Sequence, residues 1–157
     1  MASRRVEDCC PELREKFYLF RQAMLVEGLQ FIVTSTARTV KEQLALYAQG
    51  RDGILETNRL RRNAGLPAIS IAENRRKVTW TLQSKHLIDL DDGDPRNDLA
   101  RAFDIALTRE GHPHWDIKAD VDADQVADYR EAGEIGESVG LKWGGRFRSP
   151  DYVHFEV

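Results

Sequence analysis

The chain has 157 residues, enough for one domain with a real core, and its 41% hydrophobic and 31% charged content is ordinary for a globular protein. A net charge of −3 gives no reason to expect a nucleic-acid partner, and no apolar run approaches the roughly 18 residues of a membrane span, so no stable membrane association is expected. The two cysteines, adjacent at positions 9 and 10, exclude a disulfide framework and a zinc site of the paired CxxC kind.

The N-terminal stretch MASRRVEDCCPELREK lacks the apolar core of a secretory signal, so synthesis in a cytoplasm is expected. Pro11 suits a first helical turn, and Leu13, Phe17, Phe20, Met24 and Leu25 recur at helical spacing up to Gly28. FIVTST (31–36) is short, β-branched and apolar, which predicts a buried strand. Thr39 is placed to cap a second helix, TVKEQLALYAQG, with Val40, Leu44 and Tyr47 inward and Gly50 ending it. Residues 51–77 are arginine-rich with poor periodicity and predict a surface excursion holding at most one helical turn. VTWTL (78–82) and AFDIAL (102–107) alternate as strands do. Asp122 or Asp124 is expected to open a third helix through Val126, Tyr129, Ile135 and Val139. WGGRFRSP predicts a turn and YVHFEV a final strand. The expectation is an α+β fold with helices packed on a small antiparallel sheet, one domain spanning 1–157.

Of the four histidines, His112 and His114 flank Pro113 in an expected solvated loop, whereas His86 and His154 border apolar strands with acidic company. In AFDIAL, alternation puts Phe103, Ile105 and Leu107 on one face and Asp104, between two alanines, on the other. A buried carboxylate needs a partner, a hydrogen bond or a metal. In VHFEV, His154 and Glu156 share a face. Two histidines and a carboxylate make a catalytic zinc shell with a fourth position for water; a nearby carboxylate, with Asp151 the candidate, then moves the proton. Strict alternation would set Asp151 and His154 on opposite faces, so the pairing requires Ser149-Pro150-Asp151 to be a turn. Spacing alone leaves a zinc site and scattered structural residues both open.

Ser84-Lys85-His86, Ala102-Phe103-Asp104 and Asp151-Tyr152-Val153-His154, in this order, resemble the S-x-H, A-x-D and [D/E]-x-x-H motifs of the zinc peptidases that cut peptidoglycan bonds containing D-amino acids. That family includes D-alanyl-D-alanine carboxypeptidases and dipeptidases, and the L-alanyl-D-glutamate endopeptidases used as phage endolysins. VTSTAR followed by EQLALYAQGR resembles its strand and helix with a substrate-site arginine, here Arg38; GESVGLKWGG followed by DYVHFEV resembles the ending of the phage endopeptidase branch. The similarity covers most of residues 30–157. The resemblance implies zinc on His86, Asp104 and His154, with Asp151 as general base and acid. It gives Arg38 a place at the substrate or the oxyanion, and Ser84 one at the substrate or in orienting the site. It also implies a peptidoglycan peptide as substrate.

The implied activity is L-alanyl-D-glutamate endopeptidase in a monomeric phage endolysin, made in the host cytoplasm and reaching the wall after release. The alternatives are a D-alanyl-D-alanine carboxypeptidase and a non-catalytic zinc-containing binding domain. One feature departs from the family pattern. The aspartate usually follows the first histidine by about seven residues; here the gap is eighteen positions, 86 to 104, and a longer loop costs little. The inserted LIDLDDGDPRND gathers Asp89, Asp91, Asp92, Asp94 and Asp98, which suggests either calcium, a hard ion that takes oxygen ligands, or a solvated acidic loop compensated by Arg96 and Arg101.

Overall fold

A computed structural model describes residues 2–157. Helix α1 (Pro11–Val26) begins on proline, whose missing N–H is no loss at that position. It buries Leu13, Phe17, Phe20 and Met24. Leu25, expected inward, is 74% exposed, because the buried stripe ends at Met24 as the chain turns out through Gly28.

The sheet on which α1 lies is built around β4 (Ala102–Arg109). β4 pairs antiparallel with β1 (Phe31–Ser35) on one side and β7 (His154–Glu156) on the other. β6 (Lys142–Trp143) extends the sheet beyond β7, and β5 (His112–His114) pairs with the far end of β4. Phe103 meets Phe17 edge-on at 5.1 Å and stacks on its cross-strand neighbour Phe155 at 5.4 Å, so the apolar face of β4 is the floor of the core. β1 is an edge strand and only half buried, with Ile32 42% exposed; the expected full burial fails because, among the described residues, no strand covers its outer side.

Helix α2 (Val40–Ala48) is capped by Thr39 in a reciprocal capping box with Glu42. Its buried face is Glu42, Gln43, Ala45 and Ala48, whereas Val40 and Leu44 are 41% and 42% exposed. Of the expected inward residues only Tyr47 is half-buried. A full helix, α3 (Ile54–Asn63), replaces the expected excursion, with Thr57 and Arg61 buried and Arg61 donating to the carbonyl of Pro67 at 2.7 Å. Residues 78–82 form no strand. They run as an irregular segment held by Gln43, which donates to Thr79 at 3.1 Å and to the Thr81 carbonyl at 2.7 Å. Helix α4 (Asp128–Ser138) starts later than expected, and its Gly136 brings the helix so close to Phe155 that a Cβ there would lie 2.5 Å from the ring. Beside the main sheet, β2 (Arg38–Thr39) and β3 (Leu87–Ile88) form a short parallel pair. The architecture is α+β, helices on an antiparallel sheet.

Candidate metal centre

Asp104 sits mid-strand in β4, directly opposite His154 of β7. His86 arrives from the other side, where the N–H of Arg38 donates to its carbonyl at 2.8 Å. His86 Nε2 and Asp104 Oδ1 lie 3.0 Å apart, as do His154 Nδ1 and the same Oδ1, and the two ring nitrogens are 3.3 Å apart. The eighteen-position gap therefore spans one site. Its ends are stapled by the Arg101 N–H donating to the Lys85 carbonyl at 2.7 Å, so the loop between them extends outward without separating the two residues.

The remaining ring nitrogens fix the tautomers. Nδ1–H of His86 donates to the Thr36 carbonyl, and Nε2–H of His154 donates to Glu156 Oε2 at 3.0 Å. With neutral rings, two nitrogen lone pairs and a carboxylate oxygen then converge with no proton between them. Such an arrangement repels itself unless a cation joins it. Separations of 3.0–3.3 Å suit donors that share an ion at about 2.0–2.2 Å, the range for zinc. The residues present fit a small divalent metal. Hydrogen bonds to carboxylate and carbonyl behind metal-binding histidines are the usual orienting partners.

In the metal-free protein a proton serves instead. Burial works against a charge on His154, but the hydrogen bonds it donates to Asp104 and Glu156 outweigh it and raise its pKa to about 9. Burial likewise opposes a charge on Asp104, and its hydrogen bonds with His154 and His86 prevail, holding the carboxyl well below the usual range.

Asp151 lies in a turn and regular strand begins only at His154, as Pro150 required. Its N–H donates to the Gly144 carbonyl at 2.9 Å, and its carbonyl accepts from the His154 N–H at 3.3 Å. Burial and then the negative charge of Asp104 push its carboxyl above the ordinary value. Arg38 donates from Nη2 to Asp104 Oδ2 at 3.2 Å, while its Nε is buried without a partner. The Ser84 hydroxyl accepts the His86 N–H at 3.2 Å, which shapes the turn into His86. These residues line one cleft of about 710 Å³, whose far wall is the irregular segment at 78–83 with Trp80 73% exposed.

Other sequence expectations fare differently. His112 and His114 lie at the other end of β4. Asp89, Asp91, Asp92 and Asp94 do not converge on one point. Asp94 is paired with Arg96 at 2.7 Å, Asp92 accepts from Asn97 at 2.8 Å, and Asp89 accepts the Asp91 N–H at 3.2 Å. Calcium at these four residues finds no support; Arg96 compensates the loop as the alternative held, while Arg101 turns to Glu12 at 3.8 Å. Glu156 and the Thr36 carbonyl were not foreseen. For Glu156 the signal was present, two positions along the strand from His154 and therefore on its face.

A family model described as D-alanyl-D-alanine carboxypeptidase matches residues 98–157, the stretch that carries Asp104, Asp151 and His154. The peptidoglycan L-alanyl-D-glutamate endopeptidase CwlK of Bacillus subtilis (strain 168) is 25% identical over 152 residues, covering 96% of this chain and 74% of its own length. The crystal structure of the L-Ala D-Glu endopeptidase ChiX of Serratia marcescens is similar in fold, with a TM-score of 0.55 at 17% identity, covering 100% of this chain and 88% of that one. The segment match over Asp104, Asp151 and His154 and the near full-length likeness to CwlK agree with the motif order and support the resemblance to the peptidoglycan peptidases that include D-alanyl-D-alanine carboxypeptidases and L-alanyl-D-glutamate endopeptidases.

Proposed function

We propose that the protein is a zinc peptidase that hydrolyses peptidoglycan stem peptides, cutting the L-alanyl-D-glutamate bond in the service of phage lysis. The observation that carries this reading is the convergence of His86, Asp104 and His154 within 3.3 Å at the foot of a cleft that also holds Asp151. His86, Asp104 and His154 would hold the ion. Zinc in such a setting is a Lewis acid that acidifies water and polarises a carbonyl.

The chain's own residues do the rest. Asp151, with its carboxyl pushed up by burial, takes a proton from the attacking water and returns it to the amine nitrogen as the C–N bond breaks. Arg38, fixed against Asp104, presents positive charge toward the oxyanion that develops on the carbonyl oxygen. Glu156 and the Thr36 carbonyl keep the imidazoles turned inward. The long cleft wall at 78–83 gives an extended peptide a surface to lie on.

Digestion of purified peptidoglycan followed by mass spectrometry of the muropeptides tests the bond cut. New N-terminal D-glutamate is the expected result. Release of free D-alanine would make the enzyme a D,D-carboxypeptidase, the activity that the matching family model names. Unchanged muropeptides from zinc-loaded protein would leave a zinc-containing binding domain.

A further inference from the structure

The segment that leads into α4 plays no part in the peptidase chemistry, yet it carries five carboxylates in twelve residues. Residues 120–131 read DVDADQVADYRE. Aspartates stand at the first, third, fifth and ninth places (Asp120, Asp122, Asp124, Asp128), and Glu131 at the twelfth. A twelve-residue calcium loop presents its side-chain oxygens at this spacing, with a backbone carbonyl from the seventh place, here Val126. Such loops turn sharply at the sixth place, normally through glycine. Gln125 stands there with φ 75°, in the left-handed region that glycine favours.

The side chains have gathered accordingly. Carboxylate oxygens of Asp120, Asp122 and Asp124 lie within 4.8 Å of one another. Asp120 accepts the N–H groups of Asp124 at 3.2 Å and Gln125 at 3.0 Å, wrapping the chain around the first carboxylate. An independent sign comes from α4. Glu131 Oε2 is wholly buried and has no hydrogen-bond partner, which a carboxylate does not tolerate cheaply. Glu131 itself is half-buried, and burial and then the negative charges of Asp124 and Asp122 push its carboxyl above the ordinary value. Asp128 is 3% exposed, with Oδ1 accepting the Val121 N–H at 3.1 Å. Among the described residues, no arginine, lysine or histidine pairs with any of these five carboxylates.

We propose that residues 120–131 bind one Ca²⁺ through Asp120, Asp122, Asp124, the Val126 carbonyl and Glu131, with Asp128 at the place that such loops fill through a water. Hard oxygen donors in a flexible exposed loop suit calcium better than the smaller, geometrically strict magnesium. The ion ties the loop to the first turn of α4, the helix that packs on Phe155 beside His154.

The test is calorimetric titration of CaCl₂ into the zinc-loaded full chain, with thermal unfolding in parallel. One site per chain and an upward shift in Tm are expected. Glu131→Gln and Asp122→Asn should each weaken binding by about tenfold or more, a loss of about 1.4 kcal/mol or more. The double change Asp91→Asn, Asp92→Asn in the acidic loop should leave it unaltered. Asp122 is exposed, so its variant keeps the test open if Glu131→Gln fails to fold by circular dichroism. Absence of heat and of a Tm shift at about 1 mM Ca²⁺, near the weak end of such loops, would overturn the proposal. Binding that survives Asp122→Asn undiminished, or vanishes with the Asp91 and Asp92 changes, would do the same.

Discussion

Glu156 holds the outer nitrogen of His154, Nε2, at 3.0 Å, so that Nδ1 of the same ring faces Asp104. The contact sets the tautomer, and the tautomer sets whether a lone pair or a proton points at the metal position. Glu156→Ala should therefore weaken metal binding by about 10–100-fold, the usual worth of such an orienting partner. Glu156→Gln keeps an acceptor oxygen and should recover part of the loss. Competition with a chromophoric chelator reads both, and wild-type affinity in Glu156→Ala would reduce the contact to a passive one.

The proton on His154 makes a second prediction about pH. Despite burial, its hydrogen bonds to Asp104 and Glu156 raise its pKa from 6.5 to about 9 in the metal-free fold. A group raised on folding stabilises fully below its unfolded pKa and loses that contribution as pH climbs through the folded one. The Tm of the metal-free protein should accordingly fall between pH 6.5 and 9. Metal binding must expel the same proton. Its affinity should rise by about tenfold per pH unit over that window, one proton being released for each ion bound. A flat affinity profile would contradict the protonation assigned to His154.

The strand AFDIAL and the paired positions of His154 and Glu156 were legible because a strand flanked on both sides enforces period two, and Asp104 can point only one way. The cleft wall was not. VTWTL alternates, but an extended segment becomes a strand only where another strand offers its edge, and residues 78–82 pair with none. Helices α2 and α3 were misread for a related reason. Their buried faces carry Gln43 and Arg61, whose N–H groups donate to Thr79, Thr81, Pro67 and Gln49, and Thr57, whose hydroxyl donates to the Asp52 carbonyl. A pattern of apolar residues cannot register burial achieved by hydrogen bonds. The aspartates of 89–98 are dense but do not converge, whereas the alternate spacing of Asp120, Asp122 and Asp124 brings their carboxylate oxygens within 4.8 Å of one another.

Asp151 lines the cleft with its carboxyl raised, first by burial and then by Asp104, and the proposed mechanism makes it the base. Only the ionised form accepts a proton, so activity should be lost as pH falls through a value above the ordinary 3.8. Asp151→Asn should lower kcat by about 10²–10⁴ and keep a full metal complement. A raised carboxylate pKa also means that the unfolded chain ionises more readily, so stability declines as pH rises through that value. The Asn variant should then melt no lower than wild type at neutral pH. Turnover within tenfold of wild type would remove Asp151 from the chemistry.

Arg38 has two duties to separate. Its Nη2 holds Asp104 Oδ2 at 3.2 Å, and the same guanidinium lines the cleft. If it acts on the developing oxyanion, Arg38→Ala should depress kcat more than it raises KM. Arg38→Lys, which keeps charge but not the planar fork, should fall between the two. A rise in KM alone would assign Arg38 to substrate recognition.

Gly144 packs directly against the turn that carries Asp151. A Cβ built on it would lie 2.4 Å from the Asp151 carbonyl oxygen and 3.0 Å from His154 Cβ. Its own carbonyl accepts the N–H groups of Phe147 at 3.0 Å and Asp151 at 2.9 Å, so the turn has little room to relax. Neither clashing atom sits at the end of a flexible side chain, and the backbone itself must move. Gly144→Ala should cost about 1–3 kcal/mol of stability, as forced overpacking does. Displacement of the base by about 1 Å would lower turnover by about 10²-fold. Gly53 serves as control: it has negative φ and nothing within 4 Å of a built Cβ, so Gly53→Ala should leave turnover unchanged. Thermal unfolding and muropeptide release, measured on both variants, separate the two effects. If Gly144→Ala melts early yet turns over at the wild-type rate, the turn supports the fold without positioning Asp151.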